Sequence, residues 1–285
     1  MITPNIDLHS HSTISDGLLT PSELVSYASE REVQVLALTD HDDIAGLEEA
    51  RIMAQKLNII FINGVEISVT WRKRTLHIIG LNFDESNKNL INGLKNIRIG
   101  REKRAEGMAD SLGMASIFNA LEGAKKFTKH GAIGRIHFAH FLVSQGHAKD
   151  IKHVFKKFLT PGKPGYVDHE WASLEDAVTW ISEAGGDAVI AHPGRYDMGR
   201  KLYPSLLADF KDFGGAGIEV MSGSQDPSQS NYFAELAEEY NLFASCGSDF
   251  HGPGISHRAI GFVRELPKQC KPIWSKWPNV INDIH

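Results

Sequence analysis

The stretch NIDLHSHSTISDG, residues 5–17, places two imidazoles one residue apart after an apolar pair, with a carboxylate at Asp16. Side chains alternate along an extended chain, so His9 and His11 leave it on one side and can reach a common ion. Neutral imidazole suits Zn, Mn or Fe, while carboxylates bring in harder ions and bridge pairs of them. The same residue types recur along the chain. TDHDD supplies Asp40 and His41, GVEI supplies Glu66, LHIIG supplies His77, IAHPGR supplies His192, and GSDFHG supplies Asp249 and His251. Six of the 14 histidines, with Asp16, Glu66 and Asp249, are more donors than one ion can use, so a multi-metal site is expected. Each motif alone is commonplace: H-x-H as unrelated histidine, TDHD as a helix-capping turn, HPG as a turn. Their joint position is not.

That position is set by the elements that carry them. Short apolar runs read as seven strands, at 5–8, 34–39, 59–67, 75–81, 187–192, 216–221 and 242–248. Helical patterns lie between most of them. TPSELVSYASERE opens on Thr20 as N-cap, Pro21 at the first helical position and Glu23 completing a capping box. SLEDAVTWISEAGG has Ser173 as N-cap and stops at Gly185–Gly186. IAGLEEARIMAQKLN and SNYFAELAEEYN carry apolar residues at three- and four-residue spacing. Strands alternating with helices imply an α/β protein with a parallel sheet, open or closed into a barrel. Nearly every strand then delivers His, Asp or Glu near its C-terminal end, where such folds build active sites. His77 comes early in its strand.

The stretch 95–170 breaks the alternation and reads as four helices followed by the turn TPGKPGYV. It is also the basic part of the chain. Residues 95–164 hold 14 Lys+Arg and 5 Asp+Glu, a balance of +9, and the remaining 16 basic and 30 acidic residues leave −14 elsewhere. Such segregation fits either a module facing an anionic partner or a solvated helical face. The expected organisation is a barrel over 1–98, a helical insert over 99–170 and a return to the barrel over 171–285. The two cysteines cannot frame a small disulfide fold, Cys246 reads as core, and no apolar stretch is membrane-length. The N-terminus shows no secretory pattern. A cytoplasmic location is therefore expected, with no membrane association and no protein partner.

Taken together, DLHSHSTISDG, TDHD, GVEIS, LHIIG, AHPGR and GSDFHG resemble the PHP family of metal-dependent phosphoesterases, named for polymerase and histidinol phosphatase. The motifs cover both halves of the chain in order. The resemblance implies a distorted seven-stranded β/α barrel with three divalent ions, Mn first, with Fe or Zn as options. It implies one ion on His9, His11, Glu66 and Asp249, a second on Glu66, His77 and His192, and a third on Asp16, His41 and His251. Glu66, Asp249 and His192 then double as catalytic residues around a metal-activated hydroxide. Within the family, GRIHFA, TPGKPGYV and HPGR resemble the branch that hydrolyses nucleoside 3′,5′-bisphosphates and trims short 5′-phosphorylated RNA from its 5′ end. On that resemblance the insert caps the barrel mouth. Arg135 and Arg195 would clamp a substrate phosphate, because guanidinium matches phosphate bidentately, with His137 and Lys163 as secondary contacts. The remaining histidines (130, 140, 147, 153, 169, 257 and 285) are expected to be structural. The competing activity is a histidinol-phosphate phosphatase or another small phosphomonoesterase. A +9 insert suits a substrate with one phosphate and a cation poorly.

Overall fold

Seven strands form one continuous sheet in a computed structural model of the chain, which describes residues 4–128, 133–196, 198–263, 265–278 and 280. They are β1 (Ile6–Asp7), β2 (Val35–Leu38), β3 (Ile60–Trp71), β4 (Arg74–Leu81), β6 (Asp187–Ile190), β7 (Gly217–Ser222) and β8 (Phe243–Gly247). The two-residue β5 (Ala172–Ser173) pairs with β3 off this path. The sheet curls until its edges meet. The Leu8 amide donates to the Cys246 carbonyl at 3.0 Å, and the Asp249 amide donates to the His9 carbonyl at 2.9 Å. Gly247 permits this closure, since a Cβ there would lie 2.2 Å from the His9 Cβ. The result is a barrel of seven strands, as expected, and Leu8, Leu36, Ile67, Ile78 and Val189 belong to the hydrophobic core it forms with the helices around it.

The sheet is not parallel throughout. β4 runs antiparallel to both β3 and β6, whereas the other pairs of the barrel path are parallel. Only two residues separate β3 from β4, which suits a hairpin and cannot hold a parallel crossover. This reversal accounts for the early position of His77. Opposite Ser68 in the register, it lies at the end of the barrel where its parallel neighbours finish.

The helices α1 (Pro21–Ser29), α2 (Leu47–Lys56), α7 (Leu174–Glu183), α8 (Tyr203–Asp212) and α9 (Pro227–Glu239) surround the barrel. Thr20 and Glu23 cap α1 reciprocally, and Ser173 caps α7, whose end is marked by Gly185 at φ +74°. The helix α8 falls on a stretch for which the sequence pattern predicts no element. The helix α3 (Lys88–Met114) links two hydrophobic cores. Its first turns bury Leu90, Leu94 and Ile97 in the barrel core. Its later turns bury Ala105, Met108 and Leu112 in a second cluster with Phe138, Leu142, Val154 and Leu159. That cluster is completed by α4 (Ala120–Lys125), α5 (Arg135–Ser144), and α6 (Ile151–Val154) with the π-helical turn Phe155–Leu159 that continues it. Arg98 and Arg101, one turn apart on α3, tie the two bodies together by reaching Asp42 beside the barrel mouth.

Candidate metal centre

The strand ends bring all nine expected ligands into one cluster. His9 Nε2 and His11 Nε2 are 3.1 Å apart. Each faces Glu66 Oε2, at 3.5 and 3.3 Å, and Asp249 Oδ1, at 3.4 and 3.3 Å. A tetrahedral ion with bonds of about 2.0–2.1 Å separates its ligands by about 3.3–3.4 Å, so each of the two nitrogens stands at about that spacing from the other and from both carboxylates. The other Glu66 oxygen, Oε1, lies 2.9 Å from His77 Nδ1 and 2.7 Å from His192 Nε2, which are 3.3 Å from each other. The two oxygens of Glu66 thus face two donor sets. His251 Nε2 stands 3.3 Å and His41 Nε2 3.9 Å from Asp16 Oδ1, and His11, Asp16, His41 and His251 form a further group able to hold an ion.

Tautomers show that these contacts are not simply hydrogen bonds. His9 Nδ1 lies 2.9 Å from Glu219 Oε1, so the proton belongs on Nδ1 and the Nε2 lone pair points into the cluster. His251 Nδ1 faces its own loop, donating to the Asp249 carbonyl at 3.0 Å, which leaves Nε2 facing the Asp16 carboxylate, where it needs a proton or an ion between the two. His41 Nδ1 approaches Glu66 Oε2 to 2.9 Å without hydrogen-bond geometry. Asp16 Oδ1, Glu66 Oε2 and Asp249 Oδ1 are buried acceptors with no well-aligned hydrogen-bond donor among the described residues, while Asp249 Oδ2 pairs with Arg195. Lone pairs aimed at lone pairs in a buried site need cations between them, so the residues present fit divalent ions.

The backbone is bent to achieve this. His192 and Asp249 have φ of +26° and +54°, and Asp42, next to His41, has +54°. Non-glycine residues in this region cost on the order of 1–3 kcal/mol each. Neighbouring polar groups hold them. Glu219, wholly buried, accepts the His192 amide as well as facing His9. Asp42 accepts from the Ser68 amide at 2.6 Å and pairs with Arg101 at 2.5 Å. Asp40 accepts from Ser12 and Ser15 in the loop that carries Asp16. Tyr196 Oη accepts the His77 amide at 2.8 Å.

Without ions, burial and charge oppose each other across the cluster. Burial would raise Glu66, but His41, His77 and His9 outweigh it and hold the carboxyl well below its usual range. Burial would lower His251, yet Asp16 and Asp249 push it up to about 9. Burial drives His11 down to about 3, reinforced by His251. Burial likewise pushes Asp40 up to about 6.

The expected phosphate contacts are dispersed around this centre. Arg195 pairs with Asp249 Oδ2 and donates to Ser224 at 2.9 Å. Arg135 opens α5, with its guanidinium over Phe155. His137 is buried and lines two cavities that border the cluster. Lys163 is exposed in the turn after the π-helical segment and lines neither cavity. Sequence reasoning misses several residues. Glu219 stands as a lone acid inside AGIEVM, and Asp42 is the second acid of TDHDD. Arg101 and Arg104 are hidden in a general basic run. Both stack on Trp171, at 4.8 and 5.3 Å. Arg104 Nε is buried without a hydrogen-bond partner among the described residues, and burial, Arg135 and Arg101 lower its guanidinium to about 10. Of the histidines expected to be structural, His169 packs on Trp171, His140 and His257 line the larger cavity, and His130 and His285 lie outside the described residues.

A β/α barrel whose mouth gathers imidazoles and carboxylates around a shared glutamate defines a metal-dependent hydrolase. The chain belongs to the PHP domain family, whose model matches residues 7–184. It is 53% identical over 271 residues to a 3′,5′-nucleoside bisphosphate phosphatase of Chromobacterium violaceum, covering 95% of each chain. It is 42% identical over 273 residues to the 5′-3′ exoribonuclease Rnm of Escherichia coli, covering 95% of this chain and 93% of that one. Among solved structures, an amidohydrolase from Chromobacterium violaceum with bound sulfate and no metal superposes with a TM-score of 0.92 at 51% identity. That match covers 98% of this chain and 96% of that one.

Proposed function

We propose that the protein hydrolyses the 3′-phosphate of nucleoside 3′,5′-bisphosphates and trims short 5′-phosphorylated RNA from its 5′ end. The observation that carries this reading is the pairing of two features at one mouth. A glutamate faces two donor sets, and Arg101 lines a small cavity at their edge, with Arg104 and Arg135 close behind it on the insert. Neither Arg104 nor Arg135 has an ion-pair partner among the described residues, and their neighbours are one another, Arg101 and the neutral phenol of Tyr166. Cations held together in a half-buried place are a ready receptor for a phosphate. The names of the two curated relatives support the same substrates.

Three divalent ions would be held, by His9, His11, Glu66 and Asp249, by Glu66, His77 and His192, and by Asp16, His41 and His251, with Mn ahead of Fe or Zn. When bound, they supply Lewis acidity and a hydroxide nucleophile near neutral pH. The chain's own residues do the rest. Glu66 fixes the separation of two donor sets, with Asp249 and His192 completing them next to the reacting phosphate. Glu219 keeps His9 in the tautomer that offers Nε2. Arg135 and Arg195, helped by His137 and Lys163, hold the substrate's other phosphate, which positions the scissile one. Arg104 joins that clamp beside Arg135. The insert over 99–170 acts as the cap that brings these cations to the barrel over 1–98 and 171–285. No helix among the described residues is long and apolar enough to cross a membrane. Two free thiols, one buried and one half-buried, suit the reducing cytoplasm.

The test is phosphate release by metal-stripped protein refilled with Mn²⁺, on adenosine 3′,5′-bisphosphate with histidinol phosphate in parallel. Fast release from the bisphosphate alone supports this reading. Release mainly from histidinol phosphate keeps the metal chemistry and overturns the roles of Arg135, Arg195 and the insert.

A further inference from the structure

We propose that Arg101, on the insert side of α3, is a positioning residue for one of the three ions: it fixes the turn that aims His41 at Asp16 and His251. The inference rests on the three-ion reading above and adds that the barrel alone does not complete the third ligand group. His41 lies in the turn after β2, and this turn is laid along β3. The Glu66 amide donates to the Asp40 carbonyl at 3.1 Å, and the Asp42 amide donates to the Glu66 carbonyl at 2.9 Å. Asp42 takes φ of +54°, a conformation that a non-glycine residue holds only where its surroundings impose it. Its side chain is wholly buried. One carboxylate oxygen accepts the Ser68 amide at 2.6 Å, and the other accepts Arg101 Nε at 2.6 Å and meets Arg101 Nη2 at 2.5 Å. Nη2 also donates to Ser68 Oγ at 2.8 Å. The Trp171 ring lies 4.8 Å from the same guanidinium, and the Trp171 amide donates to Thr70 Oγ1 at 2.9 Å, two residues beyond Ser68 on β3.

No other cation pairs with the Asp42 carboxylate among the described residues. Arg98 reaches the Asp42 carbonyl at 2.7 Å and the Asp43 carboxylate at 3.6 Å. A buried carboxylate stripped of its countercharge is strongly disfavoured. Without Arg101 the turn would relieve this by swinging Asp42 toward water, and His41, its chain neighbour, would move with it. The other two donor sets are supported differently. Glu219 on β7 faces His9 and accepts the His192 amide, and Tyr196, after β6, accepts the His77 amide. Among the described residues, nothing between 99 and 170 hydrogen-bonds or ion-pairs with His9, His11, Glu66, His77, His192 or Asp249. The insert therefore supports one ligand group and leaves two to the barrel. In the group it supports, Asp16, His41 and His251 are half-buried and only His11 is fully buried. Packing alone holds such a group loosely, so the aim of His41 depends on the turn that carries it.

The experiment counts ions with no substrate present. Metal-stripped full chain, wild type and variants, is equilibrated at a series of free Mn²⁺ concentrations, and bound Mn²⁺ per chain is read by elemental analysis. The wild type should take up three ions. Arg101→Ala should take up two as before and bind the third about 10–100-fold more weakly, the range for losing a group that orients a ligand. Arg101→Lys keeps the charge without the paired donors and should recover part of that loss. Ser68→Ala deletes one hydrogen bond to the guanidinium and should weaken the same ion by about fivefold. It carries the comparison if circular dichroism shows that Arg101→Ala does not fold. Arg104→Ala, three residues on and against the same Trp171 ring, should leave all three ions at wild-type affinity. Three ions at wild-type affinity in Arg101→Ala, or in Ser68→Ala where Arg101→Ala does not fold, would overturn the positioning role and leave the metal centre as described. An equal loss in Arg104→Ala, or a loss shared by all three ions, would trace the effect to the seating of the insert and overturn it too. A wild type that takes up only two ions would overturn the three-ion reading, and the inference with it.

Discussion

The barrel mouth and the insert face each other across one site, but they are built to different standards. At the mouth, His9, His11, Glu66, His192 and Asp249 are buried, Asp16, His41, His77 and His251 are half-buried, and several are held by a further polar group: His9 by Glu219, His77 by Tyr196 through its backbone, and the His41 turn by Asp42. Glu66 is wholly buried between two donor sets. In the insert, His137 is buried beside the site, while Arg135 and Arg104 are half-buried. Arg135 leans on Phe155, Arg104 leans on Trp171, and neither has a carboxylate to fix it among the described residues. A metal centre must be right to a few tenths of an ångström before substrate arrives, and so its supports are permanent. The proposed phosphate clamp would acquire its partner only when substrate binds, and guanidiniums left without one would be free to close on it. On that proposal one region is preorganised for chemistry and the other is poised for recognition.

The two regions should part most sharply at Glu66. Glu66→Gln removes the charge facing both donor sets, and kcat/KM on every phosphate ester should fall by roughly 10³-fold, with fewer ions per chain by elemental analysis. Full metal content in that variant would break the bridging role. Glu219→Gln leaves every ligand in place but loosens the His9 tautomer. A loss of about 10–100-fold in metal affinity is expected, measured by competition with a chelating dye. In the insert the effect should depend on substrate. Arg104→Ala or Arg135→Ala should lower kcat/KM for nucleoside 3′,5′-bisphosphates by about 10–100-fold, the worth of a charge-assisted hydrogen bond, and spare an aryl phosphate. Equal losses on both substrates would place these arginines with the preorganised machinery.

The pH response of the metal-free protein separates the regions again, because raised histidines occur at the mouth. His251 is held at about 9 against an ordinary 6.5, and His9 and His41 are raised too. A raised pKa stabilises the fold fully below 6.5 and loses that contribution as pH climbs through the folded value. The lowered histidines, His11 at about 3 and His77 at about 4, have their effect below 6.5 and are silent in this window. Between pH 6.5 and 9 the chelated protein should therefore lose stability, on the order of 2 kcal/mol, read from its urea midpoint. Ions bind deprotonated ligands, so affinity for Mn²⁺ should rise over the same range. A urea midpoint that stays flat would mean that the cluster relaxes when emptied.

The same division governs how much of the molecule is legible in its sequence. The ligands stand out because strands are short, apolar and punctuated, so a His or Asp after each one is assigned a place in space by the strand alone. The seven strands can be read for that reason. The reversal of β4 cannot, since an apolar run carries no direction, although the two-residue link at Arg72–Lys73 contains the hint. Glu219 reads as one acid in an apolar strand; a fully buried carboxylate needs a partner, and the partner is distant in sequence. In the insert, sequence shows only net charge. Arg98, Arg101 and Arg104 repeat at the three-residue spacing of one helix face, but their assignment to Asp42 or to a phosphate depends on how two cores pack along α3, which no local pattern encodes.

Lys163 marks the weakest end of the scale. The motif TPGKPGYV points to it, yet it lies exposed in a turn with no side-chain partner among the described residues, outside both cavities at the mouth. An exposed ammonium on a flexible stem is screened by salt beyond about 10 Å. Lys163→Ala should therefore change kcat/KM for a bisphosphate by less than about twofold, a mononucleotide being too short to reach the turn. A longer 5′-phosphorylated RNA can pass over it, and there the loss should reach about two- to threefold at low salt and vanish at high salt. A large, salt-insensitive effect on the bisphosphate would show that the turn folds down onto the substrate. The cap would then share the preorganised character of the barrel, and the line drawn between the two regions would have to move.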